Sequence, residues 1–128
     1  MHKLDLTVLD GTYAVVRLPS QSEIPNWAYG GNFISITKTD DELSVVCNME
    51  SVPQNQVTEL GWRIIKVKGP LDFSLTGILA GITQPLAGHG ISIFAVSTYD
   101  TDYILVENEQ LENAIEILKN EGHQFISR

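Results

Sequence analysis

Only one cysteine, Cys47, is present in the 128 residues, so no disulfide can form within the chain. A lone thiol in an apolar stretch reads as a packed side chain, and cysteine poverty of this kind fits a reducing, cytoplasmic location. No apolar run reaches the roughly 18 residues that a membrane span needs. The opening MHKLDLTVLDG carries Asp5 and Asp10 where a leader peptide would be uncharged. Neither a membrane partner nor a secreted fate is expected. Basic residues are also scarce: eight against sixteen acidic ones leave a formal charge of -8, and only Arg63, Lys66 and Lys68 lie close together. Such a surface repels a phosphate backbone, which excludes nucleic acid as the expected partner.

Catalytic and metal signatures are missing as well. There is no Gly-x-Ser-x-Gly elbow, no His-Glu-x-x-His and no phosphate-binding glycine loop ending in lysine. His2, His89 and His123 have no ligand spacing among themselves or with Cys47; His89 is expected in a turn and His123 at a helix end, both in solvent. Asp100 and Asp102 could form an acid/base pair, but acidic turn residues commonly bond to nearby backbone instead. The expectation is a chain that is not an enzyme and needs neither metal nor cofactor.

What is present is ordinary globular composition, with 43% hydrophobic and 19% charged residues. Leu4 to Leu9, the Asp10-Gly11 dipeptide and Tyr13 to Leu18 read as a two-stranded hairpin. Pro19 to Asn32 is a polar loop with room for one helical turn, and its aromatics Trp27 and Tyr29 are expected to bury rather than to close over a ligand. Phe33 to Lys38 and Leu43 to Cys47 make a second hairpin around Thr39-Asp40-Asp41-Glu42, and Asn48 to Gly61 reads as a connection with at most one turn of helix.

From Trp62 onward the pattern sharpens. Trp62 to Lys68 alternates as a strand. After Gly69-Pro70, Leu75, Ile78, Leu79, Ile82 and Leu86 form one apolar stripe at helical spacing, which Ser74 or Asp72 would cap and Pro85 should kink or end early. Ile91 to Val96 is apolar on both faces and reads as a central strand. Tyr103 to Val106 pairs with it across Tyr99-Asp100-Thr101. Asn108 is the expected cap of a helix carrying Leu111, Ala114, Ile115 and Leu118, Gly122 its stop, and His123 to Ile126 a closing strand. The order strand, helix, strand, strand, helix, strand is the split βαβ arrangement, an α+β, ferredoxin-like βαββαβ fold with four antiparallel strands and both helices on one face.

A repeat lies across the two halves. FISITKTDDELSVVCN, from Phe33 to Asn48, aligns without gaps on IFAVSTYDTDYILVEN, from Ile93 to Asn108, at an offset of 60. The first half, residues 1–61, then reads as a degenerate, helix-poor copy of the unit in residues 62–128.

The pattern G-I-hydrophobic-A-x-I-x-x-P-L-A followed by I-S-x-x-x-x-S-T-x-x-x-D stands here as Gly77-Ile78-Leu79-Ala80, Pro85-Leu86-Ala87, Ile91-Ser92, Ser97-Thr98 and Asp102. In these residues the chain resembles the ACT-domain family of amino-acid-sensing modules, the small bacterial tandem-ACT proteins and, more distantly, the CASTOR-type arginine sensors. The resemblance implies the same fold, a dimer joined through ACT sheets, an effector protein as partner, and a ligand held between ACT units. The ligand's carboxylate would sit at the helix start, near Asp72, Ser74, Thr76, Gly77 and Ile78, and its amino group near Ser97, Thr98 and Asp102. Gly77 suggests close access to the backbone or tight packing of a neighbour. Leu75 stands where the arginine sensors carry an acidic residue, which leaves side-chain specificity open. The alternative is an interaction module with the same fold whose site is filled by its own Phe73 and Leu75.

Overall fold

The computed structural model describes residues 3–72 and 76–126. Eight strands and two helices follow in the order β1 (Asp5–Val8), β2 (Tyr13–Leu18), β3 (Ser35–Lys38), β4 (Leu43–Asn48), β5 (Val57–Val67), α1 (Ile78–Gly88), β6 (Ile93–Ser97), β7 (Asp102–Glu107), α2 (Leu111–Asn120) and β8 (Gln124–Phe125). The chain divides into two compact units: Gly11–Trp62, here the strand unit, and Met1–Asp10 with Arg63–Arg128, here the helical unit.

In the strand unit, β2 pairs antiparallel with β4 and with the first half of β5, and β4 pairs antiparallel with β3. Ala14, Val16, Leu43, Val45 and Cys47 point to one face, where they pack with Ala28 from the 3-10 turn Asn26–Tyr29. Trp27 is half-buried against this cluster, whereas Tyr29 remains 57% exposed. The expected single turn of helix is therefore there, and of its two aromatics only Trp27 is covered, and that only in part. The stretch read as a connection up to Gly61 already becomes strand at Val57. Its period was hidden by a bulge, in which Leu60 and Gly61 stand opposite Ala14.

The helical unit carries the expected βαββαβ order in β5, α1, β6, β7, α2 and β8. Its sheet runs β6, β7, β5, β1, β8, and so has five strands rather than four. The extra strand is β1. It does not form a hairpin with β2; Leu6 and Val8 pair antiparallel with Val67 and Ile65, and Asp5 and Leu6 pair parallel with Gln124 and Phe125. The reason is burial: Leu6 and Val8 are 0% and 4% exposed in a core with Ile65, Val67, Ile104, Val106, Ile82, Leu86, Leu111, Ala114 and Leu118. Full burial of one such aliphatic side chain contributes about 1.5–3 kcal/mol, which outweighs a local Asp-Gly turn preference.

Strand β6 also departs from expectation. It is an edge paired with β7, and Ile93, Phe94 and Val96 are only half-buried. The strands covered on both faces are β5 and β7, where Ile64, Ile65, Ile104 and Leu105 are fully buried.

The helices obey their stripes. Ile78, Ile82 and Leu86 are buried on α1; Leu111, Ala114 and Leu118 on α2. Asn108 does not cap α2. A 3-10 turn, Asn108–Gln110, intervenes, and Asn108 accepts a 3.5 Å contact from Arg63. Gly122 ends the helix as expected, with φ +98° and the His123 amide bonded to Leu118 O at 3.1 Å.

Pro85 neither ends nor shortens α1, which runs on to Gly88. A proline here leaves the Gly81 carbonyl without its usual helical donor. His123 supplies one: its Nε2 lies 3.3 Å from Gly81 O, and its Nδ1 3.1 Å from the Leu4 amide. His123 is 3% exposed, not solvated at a helix end. His89 does lie exposed in the turn after α1, with Nδ1 2.8 Å from Pro85 O.

Candidate functional site

The β6–β7 hairpin closes with Ser97 opposite Asp102, leaving the four-residue loop 98–101. Thr98 folds that loop on itself. Its amide donates to Thr101 O at 2.8 Å, its hydroxyl to the same oxygen at 3.1 Å, and the Thr101 amide lies 3.3 Å from Thr98 Oγ1. The loop is then tied to the segment after β5: Thr101 Oγ1 donates to Val67 O at 2.6 Å in a buried position, and the Leu71 amide to Asp100 O at 2.7 Å. Gly69 makes this approach possible. A Cβ there would stand 2.9 Å from Asp100 O and 3.0 Å from Thr101 Cβ.

A cavity of about 180 Å³ opens between this hairpin, the segment after β5 and the start of α1. It brings together Asp72, Ile78, Ser97, Thr98 and Asp102 of the expected set, and adds Leu71, Tyr99, Asp100 and Thr101. Thr76 and Gly77 are exposed just before the helix and do not line it; Ser74, like Phe73 and Leu75, lies outside the described residues. Asp72 does not cap α1. The N-cap position falls on Gly77, at φ +77°, which has no side chain to cap with. A Cβ on Gly77 would meet no described atom within 4 Å, and its φ of +77° is a left-handed conformation that glycine adopts without cost.

Ser97 Oγ donates to Asp102 Oδ1 at 2.6 Å, which fixes one carboxylate oxygen on the cavity wall. Asp102 is half-buried; Asp72 and Asp100 are exposed. Three carboxylates against no cationic side chain make the lining acidic, while the amide N–H groups that open α1, from Ile78 on, supply the positive end of a helix dipole. Such a site can hold a group bearing both charges. A second cavity, of about 190 Å³, shares Thr98, Asp100 and Thr101 with the first, and is lined also by Lys66 and Tyr103, the Lys66 ammonium standing 5.8 Å from the Tyr103 ring centre. Lys66 and Tyr103 were not singled out from the sequence, where they read as ordinary strand residues.

The β3–β4 hairpin repeats the loop design. Lys38 stands opposite Leu43 around four residues, and Thr39 makes the same contacts with Glu42 that Thr98 makes with Thr101. Lys38 and Ser97 thus correspond, an offset of 59 and not the 60 of the gapless alignment. Asn48 caps the following turn through Glu50 N, the position that Glu107 takes after the β6–β7 hairpin.

The family profile of the ACT domain matches residues 57–120. The chain belongs to the ACT-domain family. A separate N-terminal-domain profile matches residues 11–55. The cytosolic arginine sensor for mTORC1 subunit 1 of Mus musculus is 33% identical over 113 residues, covering 86% of this ACT protein and 34% of the sensor. The chain thus spans about a third of the length of that relative. A crystal structure of an Agrobacterium tumefaciens protein matches with TM-score 0.94 and 42% identity, over 100% of this chain and 96% of that one. The ligand-free regulatory subunit of aspartate kinase from Thermus thermophilus shares the fold at TM-score 0.60 and 12% identity, over 92% and 93% of the two chains.

Proposed function

We propose that this ACT protein is a non-catalytic regulatory module that binds a free amino acid at the cavity beside the β6–β7 hairpin. The observation that carries the reading is the Ser97–Asp102 pair, a carboxylate anchored on a wall that faces the start of α1. The ligand's ammonium group bonds Asp102 and its carboxylate the first amides of α1, which suits each charge to the pole it meets. A cavity of about 180 Å³, below the usual range of small-molecule pockets, admits only a compact ligand unless a second unit enlarges it. The similarity to a protein named for sensing arginine supports the class of ligand.

A second ACT unit completes the site, supplied by a second copy joined through β6. That strand presents an unpaired edge and the half-buried Ile93, Phe94 and Val96, features that a second sheet would cover. The shared threonine-closed loops of Thr39 and Thr98 support descent of the first half from a degenerate ACT unit. Occupancy is passed to an effector protein in the cytoplasm. The same edge strand favours a second reading, an interaction module that keeps the fold and binds no small molecule.

Thermal unfolding of the purified protein against each of the twenty amino acids separates the two. A ligand at 100 times its dissociation constant adds about 2.7 kcal/mol, a shift of several degrees for a domain of this size. A selective shift, lost in Asp102→Ala, supports the sensor; no shift with any of them leaves the interaction module.

A further inference from the structure

Pro85 and His123 are far apart in sequence and meet at one carbonyl. Because Pro85 has no N–H, Gly81 O is open to another donor, and His123 Nε2 occupies that place. The ring's two contacts fix its tautomer: the Leu4 amide can only donate, so Nδ1 accepts, and Gly81 O can only accept, so Nε2 carries the proton. The bonds on either side point the same way. Gln124 N donates to Leu4 O at 2.9 Å, Leu4 N to His123 Nδ1, His123 Nε2 to Gly81 O, and Gly81 N to Gly77 O at 2.9 Å. These four bonds follow one another through Leu4, His123 and Gly81, with the His123 ring bridging the middle two. They run from the β1–β8 pairing to the residue that opens α1, next to the cavity-lining Ile78. The conjugated imidazole links the two central bonds, so a change at Gly81 O is felt at the Leu4 amide.

We infer that His123 is a positioning residue that couples the first turn of α1 to the docking of strand β1. The elements it joins are suited to the part. β1 pairs with β8 through only two residues and with β5 through three. Leu6 and Val8 anchor the strand in the core, but its first end, at Leu4, is held by the short β8 pairing and by His123, so one buried hydrogen bond can shift how often that end frays. A ligand that settles on the first amides of α1 favours the regular turn in which Gly81 N meets Gly77 O, and through His123 favours docked β1. The same energy couples β1 back to the ligand. The ligand half of this inference rests on the reading of the cavity given above; the coupling itself does not.

Amide hydrogen exchange on the full chain, without any amino acid, tests the coupling first. In Pro85→Ala the new N–H reclaims Gly81 O and displaces His123. The Leu4 and Gln124 amides should then exchange at least about threefold faster, while the thermal midpoint holds or rises because the helix gains a better residue. A merely structural role predicts that local protection follows the midpoint. Unchanged or slower exchange at Leu4 and Gln124 overturns the coupling. His123→Asn keeps an acceptor near Leu4 N but cannot reach Gly81 O, and should speed exchange at the Gly81 amide; unaltered Gly81 protection overturns it too. The second stage adds the amino acid that raises the midpoint most. Slower exchange at Leu4 in the wild type, and no such response in His123→Asn, completes the case. An amino acid that stabilises the protein while Leu4 exchange stays the same sinks the ligand half and leaves the site standing. If none stabilises it, the site reading fails and the first stage alone decides the coupling.

Discussion

Ser97 and Asp102 face each other across the last rung of the β6–β7 hairpin, and the serine hydroxyl donates to the aspartate at 2.6 Å. Each is thereby oriented by the other before any ligand arrives. Asp102→Ala should remove ligand stabilisation, since hydrogen bonds to a charged group are each worth about 1.5–3 kcal/mol, or roughly ten- to a hundredfold in affinity. Ser97→Ala leaves the charge but frees its rotamer, so a smaller loss is expected. Titration by calorimetry with the amino acid found in the thermal screen gives both numbers; equal affinity in Asp102→Ala and wild type would reject the assignment.

Gly69→Ala should destabilise the protein by about 1–3 kcal/mol, the usual penalty of overpacking. The added carbon meets the Asp100 carbonyl and Thr101 Cβ, neither of which is a flexible side-chain end. Urea unfolding measures the loss, and because the same displacement pulls the loop 98–101 from Val67 and Leu71, ligand affinity should fall with it.

Gly77, just before α1, and Gly81, the fourth residue of the helix, should respond in opposite directions. Gly81 is helical and a Cβ there meets no described atom within 4 Å, so Gly81→Ala should stabilise by up to about 1 kcal/mol. Gly77→Ala should destabilise by about 1–2 kcal/mol, because its φ of +77° is a left-handed conformation that a side chain opposes. Denaturant midpoints of the pair check the sign of each.

Burial pushes the Cys47 thiol up from its ordinary value. The folded state therefore keeps a proton that the unfolded chain releases above about pH 8.5, so stability is full below that pH and declines as pH rises towards the folded value. Cys47→Ala should cost some packing at neutral pH yet flatten this alkaline decline. Unfolding free energies at pH 7 and pH 10 for both proteins give the comparison; parallel losses would exclude Cys47 as the source.

The order of elements after Trp62 was readable because two amphipathic stripes and a glycine stop are local signals, and Ile82, Leu86, Leu111 and Leu118 are buried where those stripes put them. Five of the eight expected site residues meet in one cavity for the same reason: they lie at the ends of those elements. Partner choice was not readable. Asp10-Gly11 looks like a hairpin turn, yet β1 goes to β5 and β8, a choice made by the core that receives Leu6 and Val8. Pro85 carries a strong local rule against helix, and the helix survives through a histidine whose position no window around Pro85 contains. The sequence alignment at 60 matches apolar strands, which tolerate a slip, while the threonine-closed loops, fixed by hydrogen bonds, correspond at 59.

Strand β1 also sets a timetable. Leu4 and His123 are 119 residues apart, and the sheet slot that β1 fills is bounded by β5 on one side and β8 on the other. During synthesis β1 emerges long before either neighbour, and one of its two edges waits until β8 has left the ribosome. A nascent chain halted after α2 would hold every apolar stripe of the helical unit and still leave one edge of β1 without its partner strand. Closure of the helical unit waits on β8, the element farthest along the chain from β1, and long-range pairing of that kind is slow.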